Sequence, residues 1–265
     1  MAQQHPIRLI SKAFLLATGL LCLLLAGSLT QAASTTDGLP FITGENLREG
    51  ISLRGQWRFK PGDNIAWATP AVDDSSWSSM AVPDRWPSGG FPESGQMAWY
   101  RLSLRLDPEL VRESQISQLA VRIGKVLSAY ELYAGGKLVG GVGSLPPLSE
   151  VIYDRERVFA IPTSAISKDN VLILALRVWG GDEALVKAWS GGPISGVYML
   201  GQYRELVLEG MVSEVPGLLF CALILGFGCY YLYLYGRNRK LSTYLWFGLM
   251  ALNIGIYGLM LTQWK

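Results

Sequence analysis

Aromatic rings and charged groups are crowded into two short stretches of this 265-residue chain. Asp84 to Gln96 holds Arg85, Trp86 and Glu93 among Gly and Ser, and the segment after Trp179 holds Asp182, Glu183, Lys187 and Trp189. An aromatic face beside charged hydrogen-bonding groups is what a polyol with one apolar side requires. A second chemistry is offered by Asp73-Asp74, a carboxylate pair that could bind calcium through oxygen ligands or flank a glycosidic bond. Asp-Asp-Ser-Ser ahead of Trp77 is also how a capped turn reads, with Asp and Ser side chains accepting from nearby backbone N–H groups, and the turn is the stronger reading. Asp182-Glu183, after Gly180-Gly181, reads as a solvated loop.

Other chemistries are missing. His5 is the sole histidine and precedes the first apolar segment, so the body has no His–Ser or His–Cys nucleophile pair, no His-based metal site and no phosphorelay histidine. Gly135-Gly136-Lys137 lacks the upstream Gly and the following Ser or Thr of a phosphate-binding loop. Gly140-Gly141-Val142-Gly143 is a glycine turn without a strand-to-helix context. The sequence therefore nominates no catalytic residue, no metal ligand and no cofactor.

Three apolar segments frame the body. Ala13 to Gly27 has the length of a signal-peptide core, follows Arg8 and Lys12, and precedes Thr30-Gln31-Ala32, a small-x-Ala cleavage pattern. Val215 to Tyr235 and Leu241 to Trp264 carry no charge, and each is long enough to cross a bilayer as a helix. The expected order is an export signal (1–32), an extracytoplasmic body (33–214), a membrane helix (215–235), a cytoplasmic loop (236–240) and a second membrane helix (241–264). All 21 Asp and Glu lie between Asp37 and Glu214, against 17 of the 23 Lys and Arg, a net charge of −4 for that stretch. Arg237, Arg239 and Lys240 sit in the loop, where the excess of basic residues on cytoplasmic loops places them. A mildly acidic body gives no electrostatic reason to expect nucleic acid. The body has no cysteine; Cys22, Cys221 and Cys229 all fall in apolar segments. It must hold together by core burial alone.

Within the body, strand signals recur. In Ser52 to Phe59, Leu53, Gly55, Trp57 and Phe59 alternate with Arg54, Gln56 and Arg58; in Trp99 to Leu106, Tyr100, Leu102, Leu104 and Leu106 alternate with Arg101, Ser103 and Arg105. Ala134-Gly135-Gly136 between two strand-like runs predicts a tight hairpin, since Gly-Gly supplies the positive φ of a primed turn. Val171 to Trp179 is a nearly continuous apolar run with one Arg, as in a deeply buried strand. Gly196 to Leu200 and Tyr203 to Leu208 read as closing strands, and Pro108 to Gln118 as a short helix or a loop. Trp57, Trp67, Trp77, Trp86 and Trp99 fall within 43 residues; Trp57, Trp77 and Trp99 read as core, and Trp86 as core or ligand platform.

The string Leu53-Arg54-Gly55-Gln56-Trp57-Arg58-Phe59, then Trp67-Ala68, Asp73-Asp74-Ser75-Ser76-Trp77, Val82-Pro83, Trp86 and Trp99-Tyr100-Arg101 resembles the galactose-binding-like jelly roll known as the sugar-binding domain of family 2 glycoside hydrolases. Glu131 to Gly140 is similar to that domain's hairpin, with Gly135 where Asn is usual, and Val171 to Val178 and Ile194 to Leu200 are similar to its final strands. The resemblance spans about Leu47 to Leu208. It implies a mainly β, galactose-binding-like jelly-roll sandwich, here followed by two transmembrane helices. It also implies a ligand site on loops at one end, which makes Arg85, Trp86, Trp179 and Trp189 the candidate ligand contacts. Such a domain between a signal peptide and membrane helices resembles the bacterial seven-transmembrane receptors with diverse intracellular signalling modules, and against that pattern the chain is C-terminally incomplete.

The expected function is that of an inner-membrane-anchored sensor with its body in the periplasm. It would bind a carbohydrate-like small molecule and couple to the helices, and would not itself be an enzyme. The bilayer is its other partner, a homodimer is an open arrangement, and the output module is unspecified. The alternatives are a fragment of a carbohydrate-active hydrolase, whose catalytic barrel has no room here, and a non-signalling tethered scaffold. The topology can be checked directly. A reporter fused after Gly236 is expected to register as cytoplasmic and one after Leu208 as extracytoplasmic; a periplasmic signal from the Gly236 fusion overturns the architecture.

Overall fold

The structure, a computed structural model, describes residues 35–36, 39–44, 47, 50–87, 90–113, 118–152 and 154–262. The expected export signal (1–32) lies outside the described residues. The first strands are β1 (Thr35–Thr36), β2 (Leu39–Ile42), β3 (Ile51–Ser52), β4 (Gly55–Pro61), β5 (Ser78–Val82) and β6 (Met97–Leu106). A short helix α1 (Pro108–Glu113) leads to β7 (Leu119–Ile123), β8 (Lys125–Leu127), β9 (Ala129–Ala134) and β10 (Lys137–Val142). Then come β11 (Arg157–Ala160), β12 (Val171–Trp179), helix α2 (Glu183–Trp189), β13 (Gly192–Ser195) and β14 (Met199–Gln202). Two long helices close the chain, α3 (Tyr203–Arg237) and α4 (Ser242–Met260).

The body is mainly β. An eight-stranded sheet runs β1-β2-β6-β12-β9-β10, with β4 also on β6 and β5 on β4. A four-stranded antiparallel sheet runs β11-β7-β14-β3, and β8 pairs with β13 as a ribbon. Side chains alternate along each strand, so one residue in two faces the space between the sheets. Tyr100, Leu104 and Leu106 of β6, Leu172, Leu174 and Leu176 of β12, and Leu132 of β9 meet Val121 and Ile123 of β7 and Leu200 of β14 in one core. Trp57 is 1% exposed within it and donates its indole N–H to the Leu53 carbonyl at 2.8 Å. The β9–β10 turn has Gly135 at φ 54° and Gly136 at φ 82°, the left-handed geometry of a primed turn.

The opposite face of the eight-stranded sheet is covered as well. Strict alternation assigns Arg101 to solvent, yet it is 1% exposed. The 3₁₀ turn Ile65–Ala68 and the loop behind it fold over β6 and build a second small core from Ala68, Trp77, Trp99, Tyr133 and Ala175. Arg101 is satisfied beneath this flap: its Nε lies 2.8 Å from Asp74 Oδ2, and its Nη1 donates to the carbonyls of Trp67 and Thr69. The Asp73 carboxylate accepts from the Ser75 N–H at 2.9 Å, the Asx-type turn that the Asp-Asp-Ser-Ser string suggests. Both carboxylates of the pair are thus engaged in holding the flap.

The sequence expectation is corrected after β14. Tyr203 to Leu208 is not a strand but the first turns of α3, a helix that continues for 35 residues to Arg237. β14 already has neighbours on both sides, β3 and β7, so it has no free edge for the strand that would follow it. The residues that follow, Arg204, Glu205 and Leu206, are good helix formers, and of this stretch Leu206 alone is buried, at 2% exposure. No separate linker stands between body and helix. Pro216 removes one ladder hydrogen bond but does not end the helix. α3 and α4 are each long and apolar enough to cross a membrane. They pack as an antiparallel hairpin in which a Cβ at Gly228, Gly248 or Gly255 would collide with Leu252, Leu232 or Leu225 of the facing helix, the close approach small residues permit. The Arg237–Lys240 turn is consequently at the end of the hairpin away from the body, and Leu261 returns to the body's side.

Two substitutions separate core from flap. Trp57→Ala is expected to destabilise the protein by about 3–5 kcal/mol, the usual cost of deleting a buried Trp ring. Asp74→Ala should cost about 3 kcal/mol, because it leaves the buried Arg101 guanidinium without its counter-charge. Chemical denaturation reads both; an Asp74→Ala loss under about 1 kcal/mol, typical of surface positions, would mean that the two carbonyls alone suffice for Arg101.

Candidate functional site

Three places in the body gather polar and aromatic side chains. The first is the sheet end where β12 finishes and β6 and β9 begin, and there the four sequence-predicted ligand residues come together. The Trp86 N–H donates to the Gly191 carbonyl at 3.0 Å and the Ser190 hydroxyl donates to the Trp86 carbonyl at 2.7 Å, so the 84–96 loop is stitched to the segment after α2. The structure departs from expectation in how the rings are used. Trp86 is 3% exposed; its indole N–H donates to Tyr100 Oη at 2.7 Å, and its ring meets Phe91 edge-on and is walled by Gly180, Gly191 and Gly192. Trp179 is buried with Met97 and Ala129. Neither ring offers a free face for stacking: glycine backbone lies against the Trp86 indole, and Met97 and Ala129 pack against Trp179. Arg85 is exposed, and Trp189 is 66% exposed at the end of α2. Asp182, read as a loop residue, caps α2 by accepting from the Leu185 N–H at 2.7 Å.

The second place is on the flap side of the large sheet, and sequence reasoning missed it. Arg177 of β12 stands between Trp99 of β6 and Glu131 of β9 in register. It grips Asp63 with two bonds, Nε–Oδ1 at 2.7 Å and Nη2–Oδ2 at 2.6 Å, and reaches Glu131 Oε2 at 3.0 Å, which also accepts from the Tyr133 hydroxyl at 2.7 Å. The hydrogen bonds from Arg177 hold the Asp63 carboxyl below its ordinary range, against a smaller opposing effect of burial. Burial, with the Glu131 carboxylate beside it, pushes the Tyr133 phenol up to about 12. Lys60 lies 4.5 Å from the Trp67 ring centroid. These groups already satisfy one another, so the cluster acts as a clamp that ties the 61–64 turn to the sheet. The signal was Arg177 itself, a lone charge in an apolar strand.

The third place is a groove of about 670 Å³ between the outer side of the small sheet and the first turns of α3. Arg122 of β7, Lys125 and Arg157 face Glu209 and Glu214 across it. Arg122 is paired with Glu156 at 2.7 Å. The groove exists because α3, once Leu206 is seated on Gly201, runs back along the sheet instead of away from it. Nothing in the sequence announces it, since its charged walls come from separate segments, around Arg122, Arg157 and Glu209.

No protein-family model and no curated protein matches the chain. Among solved structures it is similar to a calcium-binding mutant of Bacteroides uniformis beta-glucuronidase 2, with 23% identity and a TM-score of 0.45 over 57% of this chain and 18% of that one. It is also similar to a glycosyl hydrolase family 2 member from Bacteroides cellulosilyticus, with 19% identity and a TM-score of 0.44 over 57% and 20%. A beta-glycosidase from Bacteroides vulgatus matches with 17% identity and a TM-score of 0.43 over the same shares. The chain thus spans about a fifth of the length of these proteins. All three are glycosidases, and the expectation that the chain is not an enzyme is withdrawn on that finding.

The clamp has a pH signature. A carboxyl whose folded-state pKa is depressed contributes stability that is present above its unfolded value, about 3.9, and lost as pH falls through the folded one. Asp63→Asn is therefore expected to lower stability at pH 7 and to flatten its fall between about pH 4 and pH 2. Parallel acid titrations of the melting temperature check this; superimposable curves for the two proteins would show that Arg177 does not hold Asp63 in solution.

Proposed function

We propose that this chain is a membrane-anchored extracytoplasmic binding domain of the galactose-binding-like jelly-roll type. It takes a carbohydrate-like small molecule at the loop end of the sandwich and passes the change to its helices. The body lies in the periplasm and the hairpin in the bacterial inner membrane, as in the seven-transmembrane signalling receptors that the sequence resembles. The observation that carries the coupling is the unbroken α3: its first turn is hydrogen-bonded and packed into the body, with the Tyr203 N–H on the Gln118 carbonyl at 2.8 Å, and its last turn ends at the basic clip. A helix transmits a displacement or rotation of its seat along its length, where a flexible linker dissipates it. The family 2 glycosidases among the similar structures support a carbohydrate as the ligand class.

The ligand contacts divide by exposure. Arg85 and Trp189 meet the ligand, one with a guanidinium and the other with an indole face, while Trp86 and Trp179 hold the loops that carry them. A glycan and metabolite screen by melting shift on the full chain tests the reading. A ligand at 100 times its dissociation constant stabilises by about 2.7 kcal/mol, and Arg85→Ala and Trp189→Ala, both at exposed positions, should abolish that shift with little change in the unliganded melting temperature. A hit whose shift survives both substitutions places the site elsewhere, and a screen without any hit removes the support for a sugar-binding role.

A further inference from the structure

The groove beside α3 has walls of complementary charge that do not touch. On the sheet wall Glu156 is spent on Arg122, while Lys125 and Arg157 make no ion pair among the described residues. On the helix wall Glu209 and Glu214 are likewise without an ion-pair partner among the described residues. A volume of about 670 Å³ keeps the two walls apart, within the range of cavities that hold small ligands. The position of the groove along the helix matters as much as its charge. From Val215 to Gly236 α3 carries no charged residue, and Leu261, just past the end of α4, lines the same groove. The groove therefore opens at the level where the hairpin changes from charged to apolar, which is the headgroup level of a bilayer if the hairpin spans it.

We propose that this groove seats the headgroup of a zwitterionic membrane phospholipid bearing a primary amine. Its phosphate lies against Lys125 and Arg157, its ammonium against Glu209 and Glu214, and its acyl chains follow the apolar face of the α3–α4 hairpin. Lys125 and Glu214 are half-buried and Arg157 and Glu209 exposed, so the groove is open to a ligand, and one with both signs in its headgroup makes charge-assisted hydrogen bonds to both walls at once. An anionic headgroup would satisfy the cations but set its charge against two carboxylates. A trimethylated amine would lack the N–H donors that a primary ammonium gives to carboxylates. The inference rests on the membrane-anchored part of the reading above and is independent of the sugar ligand.

The test uses the full chain in mild detergent, incubated with equal amounts of phosphatidylethanolamine and phosphatidylglycerol of matched acyl length and read by native mass spectrometry. One phosphatidylethanolamine should be retained in at least tenfold excess over phosphatidylglycerol. The double variant Lys125→Glu with Arg157→Glu should retain severalfold less phosphatidylethanolamine, and Glu209→Lys with Glu214→Lys should turn the preference toward phosphatidylglycerol. Arg157→Glu alone, at an exposed position, should lower the amount of phosphatidylethanolamine retained and keeps the test valid where a double variant fails to fold. Equal retention of the two lipids by the unmodified chain, retention unchanged in the folded Lys125 and Arg157 variants, or a preference unchanged in the folded Glu209 and Glu214 variant overturns the proposal. So does equally tight binding of glycerophosphoethanolamine, which has the headgroup without the chains. Alkaline carbonate extraction separates the two readings: release of the chain from membranes sinks the anchor itself, whereas an embedded chain without lipid preference sinks this inference only.

Discussion

Leu206 is buried against Gly201 one turn after β14 ends, and that contact sets the course of everything C-terminal to it. With Leu206 seated, α3 lies along the outside of β7 and β11 before it leaves the body. The groove, the absence of slack between body and hairpin, and the return of Leu261 to the body's side all follow from this one docking. Substituting any larger residue for Gly201 would press on Leu206, because a Cβ there would sit 3.1 Å from its side chain. Coupling between body and membrane in this architecture is a matter of helix packing, and it needs no specialised linker.

The large sheet is unusual in placing guanidinium groups on an apolar scaffold and then covering them. Arg101 and Arg177 share the flap side of adjacent strands, and each is neutralised by a carboxylate from the same covering segment, Asp74 for one and Asp63 for the other. The flap is therefore pinned at two points to the sheet it covers. The pair at Arg101, whose guanidinium is buried, adds little net stability over an apolar pair but is costly to break, whereas the Arg177–Asp63 pair is partly open to solvent. The two arginines thus act chiefly on register, fixing where the aromatic cover sits. At the far end of the sheet the same economy of positions uses Trp86 as a wedge between two loops, which leaves Arg85 and Trp189 as the groups that face solvent.

Much of the body was legible in the sequence. The alternation in β4 and β6, the apolar run of β12 and the Gly135-Gly136 turn are local patterns, and local patterns survive folding. What alternation could not reveal was a third layer. It placed Arg101 in solvent because period two distinguishes faces without saying whether the outer face is covered. The density of Trp67 and Trp77 close to Asp73-Asp74 was the available hint that something had to be covered. Tyr203 to Leu208 was misread for a different reason: a segment this short, with Leu206, Val207 and Leu208 at its end, fits both periods, and the deciding fact, that β14 has no free edge, is tertiary. Trp86 was ambiguous from sequence for the same kind of reason, since its burial depends on glycines more than 90 residues away. The groove at α3 was wholly illegible, because its walls come from distant segments and only the docking of the helix brings them together.

The central claim is that α3 is one helix from the body to the basic clip, with no linker at Glu209 to Glu214. Backbone hydrogen exchange on the full chain in lipid nanodiscs measures this directly. A continuous helix should slow the exchange of the amides from Glu209 to Glu214 to a degree comparable with the turn around Leu206. Exchange across those six residues at the rate of an unstructured chain, with protection resuming only beyond Pro216, would contradict the account.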